Sequence, residues 1–344
     1  MKVLMLGEWG HGGIQSHVRC LLKVLKSIQA DSRDFSVYCI GEDESYVGAK
    51  NGHDIRKFFQ IRKVMKNFKP DVVHIQKFSF MMCVYLKFFT RCPRIFSIHT
   101  PSRGKENFKT KIQHWLLSPC YYLPVSIQTW KGFCLYHPNA RGEVFYNPLN
   151  INLRVRDLKS NCITRSPIVG LVGRYAEEKD WLSFAKVTSI ISQQMDSVEF
   201  WGIGVTKEEA RVKLGELASH IDWKGFQKNG REWIGMMDIF ILTSIREELP
   251  TVVLEAFAER TAICGFIPEG GMEEILSHST GPLKEVFIKE RNISRLVEIV
   301  QELIHNESKR CAVIEDGWQI VTKFFDADKN CRSDLIDIYR RVVK

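Results

Sequence analysis

Residues 238–258 read DIFILTSIREELPTVVLEAFA. The segment from Asp238 to Thr243 is rich in apolar β-formers, which predicts a buried strand, and Pro250 suits the first turn of a helix. Glu247 and Glu255 are therefore expected at a strand's carboxyl end and in the opening turns of the next helix. Ligands bind at that edge of an open α/β sheet, and a carboxylate there accepts hydrogen bonds from two vicinal hydroxyls.

The N–H groups at the start of this helix also suit a phosphate, so the stretch has the groups to hold a sugar phosphate. The alternative is that Glu247 is a solvated loop acid and that Glu255 only complements the helix dipole.

The segment before this stretch repeats the strand–turn–helix pattern. Residues 166–187, SPIVGLVGRYAEEKDWLSFAKV, predict a strand over 168–172, a loop over 173–179 and a helix from Trp181. Arg174 and Lys179 flank that loop, and two cations at a carboxyl strand edge can neutralise a diphosphate. Further on, Gly270 and Gly271 in EGGMEEIL precede another predicted helix and form a second potential anion site.

The chain begins with a glycine-bearing turn of the same kind. Residues 2–25, KVLMLGEWGHGGIQSHVRCLLKVL, predict a strand, a turn and a helix. Its glycines allow a phosphate or a sugar to approach the backbone, although a plain tight turn is an alternative. The dinucleotide spacing G-x-G-x-x-G fails, because Gln15 stands where the third glycine is needed after Gly10 and Gly12. This weakens the interpretation as an NAD(P)-dependent oxidoreductase.

Two predicted strands, PDVVHIQ (70–76) and RIFSIHT (94–100), carry histidines at or near their carboxyl ends. His74 and His99 are more simply explained as structural residues. However, a Lys/Arg-rich segment over 103–111 follows His99, so a proton donor and several cations are expected at one strand end. EVFYN (143–147) predicts the last strand before Asn147-Pro148 breaks the chain.

The first half of the chain is strongly basic. Residues 1–150 contain 22 Lys+Arg and 10 Asp+Glu, whereas the whole chain has 49 and 40. This asymmetry indicates a phosphate-rich partner, either an anionic membrane or a nucleic acid. The sequence has no recognisable RNA- or DNA-binding motif, so the basic charge is the only support for a nucleic acid. The helix predicted over 54–68, DIRKFFQIRKVMKNF, has aromatic residues on one face and could lie on a membrane. A sheet-covering helix with a solvated basic face is the alternative.

Length and composition predict two globular domains. The chain has 344 residues, of which 44% are hydrophobic and 26% charged. Its ten cysteines are scattered singly without a C-x-x-C pair, which predicts free thiols in a reducing cytoplasm and no zinc site. No signal peptide and no membrane-spanning run of about 18 apolar residues is recognised. A cytoplasmic protein, soluble or peripheral on the inner face of the membrane, is therefore expected.

Together these segments resemble the retaining GT-B glycosyltransferases of family 4, which move a sugar from a nucleotide diphosphate donor. The resemblance covers nearly the full length. The matching segments are GHGGIQSH (10–17), DVVHIQ (71–76), SIHTP (97–101), VGRYAEEKD (172–180), EELPTVVLEA (247–256) and GGMEE (270–274). Each motif is weak alone, but their order and separations are specific, including the E-x7-E spacing of Glu247 and Glu255.

The resemblance implies an α/β GT-B fold, in which two Rossmann-like domains face each other across a cleft. Residues 1–150 would form the acceptor-side domain, with 326–344 packing back on it as a C-terminal helix. Residues 151–325 would form the nucleotide-sugar-binding domain.

The family also assigns roles to residues of this chain. Glu255 would bind the ribose, Arg174 and Lys179 the diphosphate, Glu247 the transferred sugar, and His99 would lie by the reacting centre. The residues that the family places at the donor are Gly12, Gly13, Gly173, Arg174, Lys179, Glu247, Leu249, Pro250, Thr251 and Glu255. Those expected to act in catalysis are His99, Arg174, Lys179 and Glu247. Those expected on the acceptor side are Gly12, His99, Thr100, Arg103 and Lys105.

The implied activity is metal-independent hexosyl transfer with retention, without a cofactor. The donor would be a UDP-sugar in preference to a GDP-sugar. The acceptor would be a glycan or a polyprenyl-diphosphate-linked glycan, with an anionic membrane as a further partner and nucleic acid disfavoured. Two departures from the family stand out: Glu248 and Asp180 both replace a common glycine, and Glu248 is expected to alter sugar specificity. Two alternative hypotheses remain, a non-catalytic sugar-nucleotide or nucleic-acid binding module and the NAD(P)-dependent oxidoreductase.

Overall fold

A computed structural model describes residues 1–7, 13–40, 55–77, 79–99, 108–151 and 165–344 of the chain, without the side chains of residues 13–16, 109 and 110. These residues form two compact units. Unit 1 is Met1–Asn150 with Ala327–Lys344, and unit 2 is Ile151–Asp326.

Unit 1 is built on a parallel sheet of six strands in the order β2-β1-β3-β4-β5-β6. The strands are β1 Lys2–Leu6, β2 Ser36–Ile40, β3 Val72–Ile75, β4 Arg94–Ile98, β5 Tyr121–Pro124 and β6 Arg141–Gly142. The helices are α1 Gly13–Asp31, α2 Ile55–Phe68, α3 Phe80–Phe89, α4 Phe108–Leu117, α5 Ile127–Cys134 and, from the end of the chain, α13 Arg332–Val343.

Helices cover both faces of this sheet, because alternate strand residues point to opposite sides. On one side, Val3 and Met5 pack against α1 and against Leu335 and Tyr339 of α13. On the other side, strand residues including Leu4 pack with residues of α2, α3, α4 and α5. The C-terminal helix is thus part of the core of unit 1, as the resemblance implies.

Unit 2 has a second parallel sheet of six strands, in the order β14-β12-β10-β7-β8-β9. Its strands are β7 Ile168–Val172, β8 Glu199–Ile203, β9 Asp222–Gly225, β10 Ile239–Leu242, β12 Ala262–Phe266 and β14 Phe287–Ile288. Its helices are α6 Trp181–Gln194, α7 Lys207–Leu214, α8 Gly230–Met236, α9 Thr251–Ala258, α10 Met272–Ser277, α11 Ile293–His305 and α12 Glu307–Phe324. Two short strands, β11 Arg246–Glu247 and β13 Glu269–Gly270, pair outside this sheet.

The strand predicted over 143–147 is wrong in position. Glu143 and Phe145 do donate backbone hydrogen bonds to the Tyr122 and Pro124 carbonyls, at 3.1 and 2.9 Å, but the strand itself is Arg141–Gly142. Pro124 has no N–H group with which to return a bond to this segment, so the ladder cannot continue past it.

Among the helices of the described ranges, none is long and apolar enough to cross a membrane. The nine cysteines that lie in those ranges are free thiols.

Candidate functional site

The loop that follows β7 carries the two cations assigned to the diphosphate, but they differ in environment. Arg174 is 72% exposed and forms an ion pair with Glu178 one helical turn later. Lys179 lies at the end of a 3-10 turn, Glu177–Lys179, and its side chain is only 17% exposed. Its aliphatic stem covers Gly173, where an added Cβ would lie 3.5 Å from three Lys179 carbons.

Lys179 reaches the second loop of the site, which follows β10. Its Nζ donates to Glu247 Oε1 at 2.5 Å, and the Glu247 side chain is 14% exposed. The Ser244 hydroxyl donates to the same oxygen at 2.8 Å. The Thr243 side chain also joins the two loops, since its hydroxyl donates to the Lys179 carbonyl at 3.0 Å. Two residues 68 positions apart therefore form one partly buried charged pair.

The short strand that carries Glu247 is fixed by two glycines. At Gly270, which has a φ of +120°, an added Cβ would meet the Glu247 carbonyl oxygen at 1.9 Å. At Gly271 it would meet the Glu248 carbonyl oxygen at 2.3 Å. The Gly271 N–H donates to the Glu247 carbonyl at 2.9 Å. The predicted anion site at these glycines is therefore wrong for Gly271, whose amide is used to hold the loop of Glu247.

The helix α9 begins directly after this loop. Pro250 is its N-cap, Thr251 is its first residue, and both Leu249 and Pro250 are buried. Glu255, one turn further on, is partly buried. Burial raises the pKa of its carboxyl to about 7, against the opposing effects of the Arg231 and Lys179 charges. Burial disfavours a carboxylate whose oxygens are not hydrogen-bonded, so ligand hydroxyls are suitable partners for this group.

Arg291 connects the two loops, and sequence reasoning missed it. Its guanidinium donates to the carbonyls of Thr243 at 2.6 Å and Ser244 at 3.1 Å, and it forms an ion pair with Asp180. It also lies over the Phe266 ring, 4.4 Å from the centroid. Arg291 is 111 residues from Asp180 and has no motif around it, so only the folded chain reveals this role.

Asp180 stands where the family commonly has glycine, and its contacts show how a non-glycine residue is tolerated there. Its φ is +47°, in the left-handed region that favours glycine. Its carboxylate accepts from the Ser183 N–H at 3.2 Å and from the Ser183 hydroxyl at 2.5 Å, which caps α6. The cap and the Arg291 ion pair offset the conformational cost.

Glu248, the other departure, is partly buried. Arg246 beside it has a raised pKa, first because of its hydrogen bond to Glu269 and also because of the Glu248 charge. Glu248 directly follows Glu247, so a second acidic side chain stands beside the expected sugar contact.

In unit 1, His99 belongs to a buried chain of polar groups. Its Nε2 lies 3.1 Å from Gln76 Oε1, and Gln76 Nε2 lies 3.0 Å from His74 Nε2. His74 Nδ1 in turn lies 2.7 Å from the Tyr339 hydroxyl of α13. Burial lowers the pKa of His99 to about 4 and that of His74 to about 3, so both imidazoles are neutral near pH 7.

Neutral rings fix the direction of these bonds. Gln76 Oε1 can only accept, so His99 donates from Nε2, and the Gln76 amide nitrogen donates to His74 Nε2. His74 then donates from Nδ1 to Tyr339. The third ring, His17, meets His99 edge-on at 4.8 Å between centroids, and burial lowers its pKa well below the usual value.

Several predicted site residues lie outside the described ranges. They are Gly12, Thr100, Arg103 and Lys105. Gly13 is the first residue of α1. The structure therefore brings together Lys179, Glu247 and the Gly173 loop in unit 2, with Arg174 pointing to Glu178, and it places His99 in unit 1. Within the described ranges, no group of three or more His, Cys, Asp or Glu could hold a metal ion.

Models of two glycosyltransferase families match this chain, one in each half of the sequence. Residues 157–319 match the model of glycosyl transferases group 1, and residues 30–130 match that of glycosyltransferase family 4. The crystal structure of Anabaena HepE in complex with UDP and glucose superimposes with a TM-score of 0.73 at 14% identity, over 99% of each chain. That likeness identifies the fold as GT-B.

Two bacterial relatives are similar in sequence. A Bacillus subtilis protein, provisionally named the teichuronic acid biosynthesis glycosyltransferase TuaC, is 27% identical over 50% of this chain and 42% of its own length. The N,N'-diacetylbacillosaminyl-diphospho-undecaprenol alpha-1,3-N-acetylgalactosaminyltransferase of Campylobacter jejuni is 25% identical over 65% of this chain. The alignment spans 55% of that second relative.

Two family models that between them match segments of both units, together with the GT-B fold, lead to one conclusion: this chain belongs to the family 4 glycosyltransferases of the group 1 type.

Proposed function

We propose that the protein transfers a hexose-type sugar from a UDP-sugar, in preference to a GDP-sugar, to a lipid-linked glycan, with retention of configuration at the anomeric carbon. The observation that carries the proposal is the Lys179–Glu247 pair at 2.5 Å beside Glu255. It joins a cation for the diphosphate to a carboxylate for the sugar within a segment that matches the family model.

Lys179, Arg174 and the amino end of α9 would stabilise the charge that builds on the departing diphosphate. Cations and helix N-termini aimed at developing charge are the most effective catalytic groups of a site that lacks a nucleophile. The acceptor hydroxyl would attack the face from which the diphosphate leaves, and the leaving phosphate oxygen would take the proton. This scheme uses neither a metal ion nor a cofactor.

Glu247 would accept a hydrogen bond from a hydroxyl of the sugar. Lys179 and Ser244 hold one of its oxygens, which orients the carboxylate. The carboxylate of Glu255 would accept from the ribose hydroxyls. Glu248 would place a second negative charge near the sugar and so select among donors. His99 is assigned to the reacting centre by the resemblance alone.

The acceptor proposal is supported by the Campylobacter relative, whose name specifies a diphospho-undecaprenol substrate. We propose surface polysaccharide or glycoconjugate synthesis as the context, since the name of the Bacillus relative refers to teichuronic acid.

The test is to incubate the protein with a panel of UDP- and GDP-sugars and a polyprenyl-diphosphate-linked disaccharide, and to analyse the product by NMR. We expect transfer from a UDP-sugar with an unchanged anomeric configuration, in the presence of EDTA. An inverted product would refute the mechanism. UDP binding without turnover on any acceptor would instead favour a non-catalytic binding module.

A further inference from the structure

An exposed aromatic surface crosses three neighbouring helices of unit 1. Six large apolar side chains of α2, α3 and α4 are more than half exposed, although such side chains are usually buried. They are Ile55 53%, Phe59 56%, Phe88 60%, Phe89 63%, Phe108 77% and Trp115 53%. A folded protein rarely leaves a continuous group of such residues open to water without a use.

Ring contacts make most of this surface continuous. Phe58 meets Phe59 at 5.7 Å and Phe89 at 5.4 Å between centroids, which joins α2 to α3. Phe88 meets Trp115 at 5.7 Å, which joins α3 to α4. Since the buried sides of these helices already pack on the sheet, the exposed rings are not needed for the core of unit 1.

The charge of the same helices has one sign. The sequences IRKFFQIRKVMKNF, FMMCVYLKFF and FKTKIQHWLL contain eight Lys or Arg and no Asp or Glu. On α2, Arg62 and Lys66 follow Ile55 and Phe59 at the spacing of one helical stripe, and all four are exposed.

The other two helices repeat this pairing of rings with cations. On α4, Lys111 lies between Phe108 and Trp115 on one face, and all three are exposed. Lys87 of α3 lies over the Trp115 ring, 5.0 Å from its centroid.

We propose that this aromatic surface, with the cations on its helices, binds the anionic headgroup region of a lipid membrane. Phe and Trp side chains insert at the boundary between headgroups and acyl chains, while Lys and Arg attract acidic lipids. A second copy of the chain is the wrong partner, because two such faces would bring like charges together. The proposal rests on the proposed function in one respect, which is that the acceptor is a lipid.

The test uses the full chain and flotation with vesicles. We compare vesicles of phosphatidylglycerol and phosphatidylcholine in equal parts with vesicles of phosphatidylcholine alone. Wild-type protein should float with the acidic vesicles, and its bound fraction should fall as salt is raised. The triple variant Phe59→Ser/Phe88→Ser/Trp115→Ser and the double variant Arg62→Glu/Lys66→Glu should each lower the partition coefficient at least tenfold.

Matched controls come from unit 2. Phe226→Ser removes an aromatic side chain that is 66% exposed and is the control for the aromatic variant. Lys207→Glu/Lys213→Glu reverses two exposed charges on α7 and is the control for the charge variant. Both should float as wild type does. For every variant, a melting curve with and without UDP shows whether the protein is folded and whether it binds UDP. Loss of membrane binding in a variant that still responds to UDP is then attributed to the surface and not to the proposed donor site.

Three results would overturn the proposal. The first is wild-type protein that does not float with acidic vesicles, or variants that float unchanged. The second is binding of single-stranded RNA that depends on the same residues, in a protein that does not bind vesicles. The third is a dimer in sedimentation velocity that the triple variant dissociates, again without vesicle binding.

Discussion

Lys179 Nζ and Glu247 Oε1 lie 2.5 Å apart, although the two residues are 68 positions apart in the chain. Both side chains are largely buried, so this charged hydrogen bond orients both of them before a ligand binds.

Lys179→Ala should lower turnover more than it weakens donor binding. Removing a preorganised cation from a departing group typically costs 10²–10³-fold in rate, which is about 3–4 kcal/mol. We expect kcat to fall by about that factor and the dissociation constant of UDP to rise less than tenfold. Kinetics with saturating donor and calorimetric titration of UDP give the two numbers. Lys186→Ala, an exposed lysine on α6, is the control, and a larger effect on binding than on turnover would argue against the role.

Arg291→Ala should destabilise unit 2, because it leaves the carbonyls of Thr243 and Ser244 and the carboxylate of Asp180 without their shared donor. Loss of a charged hydrogen-bonding group in a partly buried position costs about 2 kcal/mol. Arg291→Lys should recover only part of this, since lysine lacks the planar fork. Denaturant unfolding measures both. Arg295→Ala, at an exposed position on α11, is the control, expected to change stability by less than about 0.5 kcal/mol. Equal effects of the two alanine variants would contradict the account.

Gly270→Ala should disturb the loop of Glu247 more than an ordinary glycine replacement does. Its Cβ would lie 1.9 Å from the Glu247 carbonyl oxygen, at a φ of +120°. Gly215→Ala is the matched control, because it also has a positive φ, +59°, but nothing within 4 Å of the added Cβ. We expect about 1 kcal/mol for Gly215→Ala, clearly more for Gly270→Ala, and weaker UDP binding only in the latter. Equal losses of stability would show that the close approach is not essential.

His99 and His74 should remain neutral as the pH falls to 5, because burial lowers their pKa values to about 4 and about 3. Long-range ¹H–¹⁵N NMR spectra should show unprotonated Nδ1 in His99 and unprotonated Nε2 in His74. The unfolded chain protonates these rings near pH 6.5, so they make the folded state less stable as the pH drops below 6.5.

A carboxylate in place of Gln76 tests the arrangement directly. In Gln76→Glu the pKa of His99 should rise, since a negative charge would stand 3.1 Å from Nε2. A wild-type His99 that titrates near 6.5, or one that does not respond to Gln76→Glu, would contradict the hydrogen-bonded chain.

Much of the fold follows from periodicity. The strand over 168–172 and the loop and helix after it are confirmed at the predicted residues, because apolar β-formers bounded by glycine leave few alternatives. The strand predicted over 143–147 failed because pairing depends on the partner strand, and the partner ends in Pro124.

The positions of Lys179 and Glu247 in the fold were predictable, but their contacts were not. The apolar pattern predicted that both residues follow the carboxyl ends of strands, and they do follow β7 and β10. The Arg291 bridge, the capping role of Asp180 and the link from His74 to Tyr339, 265 residues away, depend on tertiary packing. For α2, the two alternatives were a helix that lies on a membrane and a helix that covers the sheet. The helix packs on the sheet through Ile61, and it also exposes Phe59 and Arg62.

Calorimetric titration of UDP into the full chain and into Glu255→Ala tests the central claim, that unit 2 binds a nucleotide sugar. We predict that wild-type protein binds UDP with one site, more tightly at pH 8 than at pH 6, because the Glu255 carboxyl, with a pKa of about 7, accepts ribose hydrogen bonds best when ionised. Glu255→Ala should bind at least a hundredfold more weakly without this pH dependence, while Glu208→Ala, an exposed acid on α7, should bind as wild type does. Unchanged UDP affinity in Glu255→Ala, or no binding of UDP by the wild type, would contradict the account.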